Sequence, residues 1–434
     1  MSQADARASR RANSRMFASL AVPNYRKYFF GALVTNVGSW MQLTAQSWLV
    51  LTVLTKESLF DLGLVTALQN LFIPILAPWA GTLADRLPKR RILMVTVTLT
   101  GLNALALAIL VDTQHVSLAI VYWLALIQGI VSGFDMPARQ AMASEMVSDA
   151  MIPNAVGLNG TSFNTARLIG PGLAGLVMGA FGFTPVLYLN AIGAAGMLWA
   201  LATMNRDQLH TAPIKREGNS VADGLRFIKN RKDILLVMII VFMVATFSMN
   251  FQVINAAMAA SVFHRGASQF GLLGTLLAIG TLAGALMAAR SQRPRLRTIM
   301  IGLFGLAAFS MALAMSPHYV AYGILLMPVG YCMLAITNTA NSTVQLSTPA
   351  VLRGRVMAVY MAVLNGGAPI GASLIGWIGT VLSPEWAILI GAIVAGVTGV
   401  GALIYLWRGR GLRASFEVWP PHVTVWSVQH QVAT

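Results

Sequence analysis

Three ionisable residues lie inside long apolar stretches of this chain: Asp135, Arg139 and Arg167. A charge at the centre of a bilayer costs about 3 kcal/mol on insertion scales and more by other measures, so each needs a partner, a wet cavity or a ligand. Asp135 and Arg139 are one helical turn apart, on one helix face where they can pair, and Gln128 and Ser132 extend that face. Arg167 lies about thirteen residues into its own apolar run, roughly 20 Å along a helix and too deep for easy snorkelling. Its planar fork suits a carboxylate or catecholate group of a substrate. A purely structural Arg would instead bond the carbonyls freed by the bend at Gly170-Pro171.

Neutral polar residues in other apolar stretches form a second set: Asn36, Gln42, Gln46, Asn164, Asn250, Asn255 and Asn365, with Gln69 and Asn338. Together they predict a mixed polar and apolar cavity near the bilayer midplane, although each is as ready to bond a neighbouring helix as a ligand. No acid lies in the first apolar stretch, and Asp61 sits only at the lip of the second, so proton coupling would rest on Asp135. Cys332 is the single cysteine and the six histidines are scattered, which gives no metal-ligand spacing and no cofactor. A membrane-embedded enzyme would need nucleophile, acid and base converging at one depth, and no such set is visible.

The elements that position these residues follow from composition. Of 434 residues 56% are hydrophobic and only 10% charged, with a mean hydropathy of +0.69. The charges cluster between apolar runs of about 20 residues, the length that crosses a bilayer as a helix. Twelve spans are predicted, at 28–54, 62–84, 92–111, 117–139, 155–180, 186–204, 234–258, 268–289, 298–316, 319–345, 356–381 and 385–407. The fold class is therefore an all-α integral membrane protein, with two six-helix bundles at 28–204 and 234–407. A polar linker at 205–233 containing a short surface helix joins them, between a basic segment at 1–27 and a tail at 408–434 with no assigned function. The first span is too long for a signal-peptide core and lacks a cleavage site, so it is expected to stay attached.

The net charge of +16 does not point to nucleic acid, because the basic residues occupy short loops between spans. With the N-terminus inside, 27 of the 30 Lys and Arg fall on the inner side, and only Lys56 and Arg265 fall outside. That bias places both termini and the linker in the cytoplasm. The halves also repeat weakly: Gly170-Pro171 followed by Gly175 and Gly179 matches Ala368-Pro369 followed by Gly371, Gly376 and Gly379, about 198 residues on. Both halves also have a short basic loop between their second and third spans, as expected of a duplicated unit.

The segment from Gly81 through Asp85, Arg86, Pro88, Lys89 and Arg90 to Arg91 resembles the signature loop between helices 2 and 3 of the major facilitator superfamily, with Pro88 where that loop usually has Gly. A second segment, Gly157, Ala166, Gly170, Pro171, Ala174 and Gly175, resembles the fifth-helix motif of twelve-helix antiporters, with Ala at two glycine positions. Short stretches such as Tyr25 to Phe29, Phe134 to Gln140 and Leu352 to Met357 are similar to the branch that contains the bacterial enterobactin exporter and related efflux proteins. The resemblance implies a secondary transporter in the bacterial inner membrane. It would export a siderophore or amphipathic drug-like molecule by alternating access, coupled to protons and acting as a monomer. It further implies that Asp135 and Arg139 meet Asp85 and Lys89 in a charged latch at the inner mouth. Import of an anionic metabolite, which would use the same Arg167 without needing the fifth-helix motif, is the alternative within transport. A non-transporting receptor of the same fold is the alternative outside it.

Overall fold

The computed structural model describes residues 17–209, 221–290, 296–410, 413–417 and 422–426. The helices are α1 (Pro23–Leu49, prolonged by a π-helical turn to Leu54), α2 (Leu59–Arg86), α3 (Lys89–Asp112), α4 (Leu118–Glu145), α5 (Ile152–Phe181), α6 (Thr184–Ala202), α7 (Val221–Asn230), α8 (Lys232–Ser248), α9 (Phe251–Ala257, prolonged to Val262), α10 (Ala267–Arg290), α11 (Leu296–Ala314), α12 (Tyr319–Leu346), α13 (Ala350–Val381) and α14 (Pro384–Arg410). α8 and α9 together make one crossing, broken at Asn250, so the twelve expected spans all appear as helices.

Local chemistry sets the helix ends. The Ser58 hydroxyl accepts from the Asp61 N–H at the start of α2, and Ser117 accepts from Ile120 at the start of α4. Gly182 adopts a φ of +81° where α5 turns into α6. Pro137, Pro171, Pro328 and Pro369 sit within helices, where neighbouring helices can satisfy the backbone groups they free. Among the described residues ten crossings are long and apolar enough to span a bilayer by length and composition. α1 and α5 fall short because they carry Asn36, Gln42 and Gln46, and Asn159, Asn164 and Arg167. Their polarity has a use, because both line the central chamber.

In the first bundle α1 packs on α5 and α6, α2 on α4, and α3 on α4 and α6. The second bundle repeats the scheme, with α10 on α12 and α11 on α12 and α14. The bundles meet along two related seams, α2 against α13 and α5 against α10. Large apolar side chains such as Trp123, Phe181 and Trp199 project outward, as a lipid-facing surface requires. In the tail, β1 (Arg413–Glu417) and β2 (His422–Trp426) form an antiparallel pair with Arg413 opposite Trp426.

Candidate functional site

The two seams seal one end of the molecule, the end opposite the α2–α3 loop. On the first, a β-carbon added to Gly376 would lie 2.6 Å from the Leu59 carbonyl oxygen and 3.1 Å from the Gly63 α-carbon. On the second, a β-carbon at Gly175 would lie 2.8 Å from the Ala267 carbonyl oxygen and 3.0 Å from the Gly271 α-carbon. Backbones approach this closely only where side chains are absent. The Thr380 hydroxyl accepts from the Phe60 N–H at 2.8 Å, and Ser268 Oγ donates to the Gly175 carbonyl at 3.0 Å, fastening each seam. Toward the other end the same helices separate: a β-carbon at Gly81, Gly157, Gly160, Gly354 or Gly366 would meet nothing within 4 Å.

A chamber of about 750 Å³ lies on the separated side, lined by the first bundle. Helical spacing brings Gln128, Ser132, Asp135 and Arg139 of α4 onto one face of it. Tyr28, Asn36 and Ser39 of α1, Thr100 of α3, and Asn159, Gly160 and Phe163 of α5 complete the wall. It continues into a recess of about 250 Å³ bounded by Trp40, Gln42, Gln46, Gln69, Asn70 and Asn190. There the amides bond one another: Gln69 Nε2 donates to Gln46 Oε1 at 3.2 Å, and Asn190 Nδ2 to Gln42 Oε1 at 2.5 Å. Asn36 Nδ2 donates to Ser162 Oγ at 3.4 Å.

The charges cluster at the mouth. Arg139 Nε donates to Asp135 Oδ2, and Thr96 Oγ1 donates to Asp135 Oδ1 at 2.6 Å. The Tyr28 hydroxyl donates to the Arg139 carbonyl at 3.3 Å. Among the described residues Lys89 pairs with Glu145 at 2.7 Å and Arg139 with Asp135, so of the four residues expected to form a latch Lys89 sits in a separate pair. The physical reason is reach: Lys89 opens α3 beside the end of α4, two turns from Arg139. Glu145 is not among the residues that the sequence singles out, and its one signal there is that an acid closes α4 next to the basic loop. Arg90 Nε and Nη2 donate to the Leu201 and Ala202 carbonyls, capping α6, and Arg86 is exposed in the last turn of α2. The Asp85 side chain lies outside the described residues.

The fifth-helix segment divides its work between two neighbours. Gly170 abuts Trp40 of α1, whereas Pro171 and Gly175 abut Gly274 and Gly271 of α10, and Ala166 and Ala174 are buried. Arg167 lies one turn beyond Phe163 on the chamber-facing stripe, just past the lining, and makes no hydrogen bond or ion pair among the described residues. Asn164 bonds back to the Gly160 carbonyl and Asn365 to the Met361 carbonyl. Asn250 and Asn255 do not line the chamber. Asn250 packs at the α8–α9 break and donates to the Thr246 carbonyl at 2.9 Å, and Asn255 accepts from the buried Tyr322 hydroxyl at 2.9 Å. Among the described residues no group of His, Cys, Asp and Glu is placed to hold a metal.

Two membrane-embedded six-helix bundles, joined by tight seams at one end and separating toward the other, where the first bundle holds an open chamber, define the architecture of a secondary transporter. The crystal structure of a point mutant of the nucleoside transporter NupG has the same fold, with a TM-score of 0.71, 13% identity and coverage of 88% of this chain and 99% of that one. The chain belongs to the major facilitator superfamily, in the family described as transmembrane secretion effector, whose model matches residues 14–421. It is 26% identical over 364 residues to the multidrug efflux pump Tap of Mycolicibacterium fortuitum, covering 80% of this chain and 87% of Tap. It is 23% identical over 415 residues to the enterobactin exporter EntS of Shigella flexneri, covering 93% and 95%.

Proposed function

We propose that this protein exports amphipathic small molecules, siderophore-like or drug-like, across a bacterial inner membrane by alternating access. The observation that carries the proposal is the one-sided seal: glycine-backed seams close one end while the chamber opens beside the basic α2–α3 loop. With the cation-rich loops and both termini in the cytoplasm, this arrangement is the state that loads substrate from inside. Its relatives Tap and EntS are named as an efflux pump and an exporter, which supports the outward direction.

Asp135 is the acid that lines the chamber, and in this reading it exchanges protons for substrate. Its protonation would loosen the Arg139 pair and change the charge of the mouth. Lys89 and Glu145 brace α3 against α4 at the cytoplasmic end. Arg167, at the deep end of the α5 stripe, comes into play when the opposite side opens. The protein acts without cofactor and as a monomer. Inverted membrane vesicles test the proposal. Under an imposed inward-acid gradient they should accumulate amphipathic probes, and collapse of the gradient should abolish accumulation. Equal uptake by vesicles lacking the protein would refute export.

A further inference from the structure

The chamber has a charge inventory that discriminates among amphipathic molecules. Its recess is lined by amides, hydroxyls and carbon, with no ionisable side chain among the residues that bound it. A formal charge placed there would lose its hydration and find no counter-charge. An uncharged polar head would not suffer this. Gln46 and Gln69 spend one acceptor and one donor on each other, which leaves further donor and acceptor capacity on both amides. Trp40 and Phe163, edge to face with centroids 5.9 Å apart, add two aromatic surfaces at the junction of recess and chamber.

The mouth is asymmetric in a different way. Both oxygens of Asp135 are engaged, one by Thr96 and one by Arg139, and the Tyr28 hydroxyl proton is used on the Arg139 carbonyl. Arg139 is not used up. A guanidinium carries five N–H donors. Its Nε faces Asp135, while its buried Nη1 has no hydrogen-bond partner among the described residues. Each oxygen of the acid already has a donor, whereas the base keeps N–H groups with no partner among the described residues, so the mouth favours an anion over a cation.

We infer that the chamber is an oriented binding site for amphiphiles bearing a single acidic group, held with the acid on Arg139 and an uncharged, ring-bearing head in the amide-lined recess. The inference rests on the export reading, because it names the class of molecule the same chamber takes. It also predicts that lipophilic cations are poor ligands.

The test uses purified protein in neutral detergent and isothermal titration with three probes: anilinonaphthalenesulfonate, its uncharged parent phenylnaphthylamine, and tetraphenylphosphonium. The sulfonate should bind about tenfold more tightly than the parent, the increment of one charge-assisted hydrogen bond, and the cation more weakly than either. Arg139→Gln should bring the sulfonate down to the parent's affinity and leave the parent within about twofold, whereas Gln46→Leu should weaken both aromatic probes together. Equal affinity for sulfonate and parent, or tighter binding of the cation, would overturn the inference, and this order is read on the unaltered protein whether or not a variant folds. The two readings fail separately. Binding in the predicted order with no vesicle uptake of any probe refutes export and sustains the site, while uptake of the cation but not the sulfonate refutes the site and sustains export.

Discussion

Gly63 and Gly376 face each other across the α2–α13 seam, each so close that a β-carbon on one would lie 3.1 Å from the α-carbon of the other. Gly175 and Gly271 stand in the same relation across α5–α10, at 3.0 Å and 2.8 Å. The sealed end is thus held by two backbone contacts related by the internal repeat, and a single methyl group is enough to disturb either.

Gly376→Ala should therefore bias the transporter toward the outward-open state. Overpacking costs about 1–3 kcal/mol, and each 1.4 kcal/mol is about tenfold in the equilibrium between states. Because the strain exists only while the seam is closed, the melting temperature of the outward-open form should stay close to that of the parent. The check is access of an impermeant thiol reagent to a cysteine at Gln46, in the recess, added from outside to cells carrying Cys332→Ser. Labelling should rise about tenfold in Gly376→Ala. Unchanged labelling would show that the seam does not govern access.

Breaking the Lys89–Glu145 pair should lower stability more than an exposed ion pair would. The two side chains are 12% and 10% exposed. Removing one partner of a buried pair leaves an uncompensated charge and costs about 3 kcal/mol. Lys89→Met should accordingly lower the melting temperature in detergent by several degrees, and Lys89→Met with Glu145→Gln should recover most of the loss. No recovery in the double variant would mean that the pair contributes packing rather than charge.

Asp135→Asn should uncouple transport from the proton gradient. The amide keeps the shape and can still accept from Thr96, but it cannot titrate. Energised uptake into inverted vesicles should fall to the level of passive exchange, while counterflow of preloaded substrate persists. Retention of full gradient-driven uptake would assign coupling to another group.

Orientation is testable with single cysteines on the Cys332→Ser background at two exposed positions, Lys229 on α7 and His115 in the α3–α4 loop. In intact cells an impermeant reagent should label the cysteine at His115 and spare the one at Lys229. The reverse pattern would invert the topology and turn the proposed exporter into a candidate importer.

Much of the fold was legible because lipid makes the length of an apolar run nearly sufficient as a signal for a helix. The twelve spans could be read from runs of apolar residues, and the internal repeat from the matched glycine and proline positions of α5 and α13 and the two short basic loops. Pairings were less legible. Asp135 with Arg139 was visible because both lie on one helix a turn apart, whereas Lys89 with Glu145 joins two helices, and sequence offers no register between them. Asn250 and Asn255 illustrate the same limit from the other side. A polar residue in a span announces that it needs a partner, but whether that partner is Thr246, Tyr322 or a ligand depends on packing that spacing alone does not encode. The recess is not visible as a unit in the sequence because Gln42, Gln46, Gln69 and Asn190 come from three helices.

Whether one end closes as the other opens can be read from distances between spin labels at both ends of the α2–α13 seam. Labels would be placed at Lys56 and Ser383 for the sealed end and at Arg86 and Arg353 for the open end, in the Cys332→Ser background and reconstituted in lipid. At rest the first pair should give a narrow, short distribution and the second a longer one. Lowering pH or adding a transported substrate should then move the two distributions in opposite senses. Two distributions that stay fixed under every condition, or that lengthen and shorten together, would contradict alternating access in this protein.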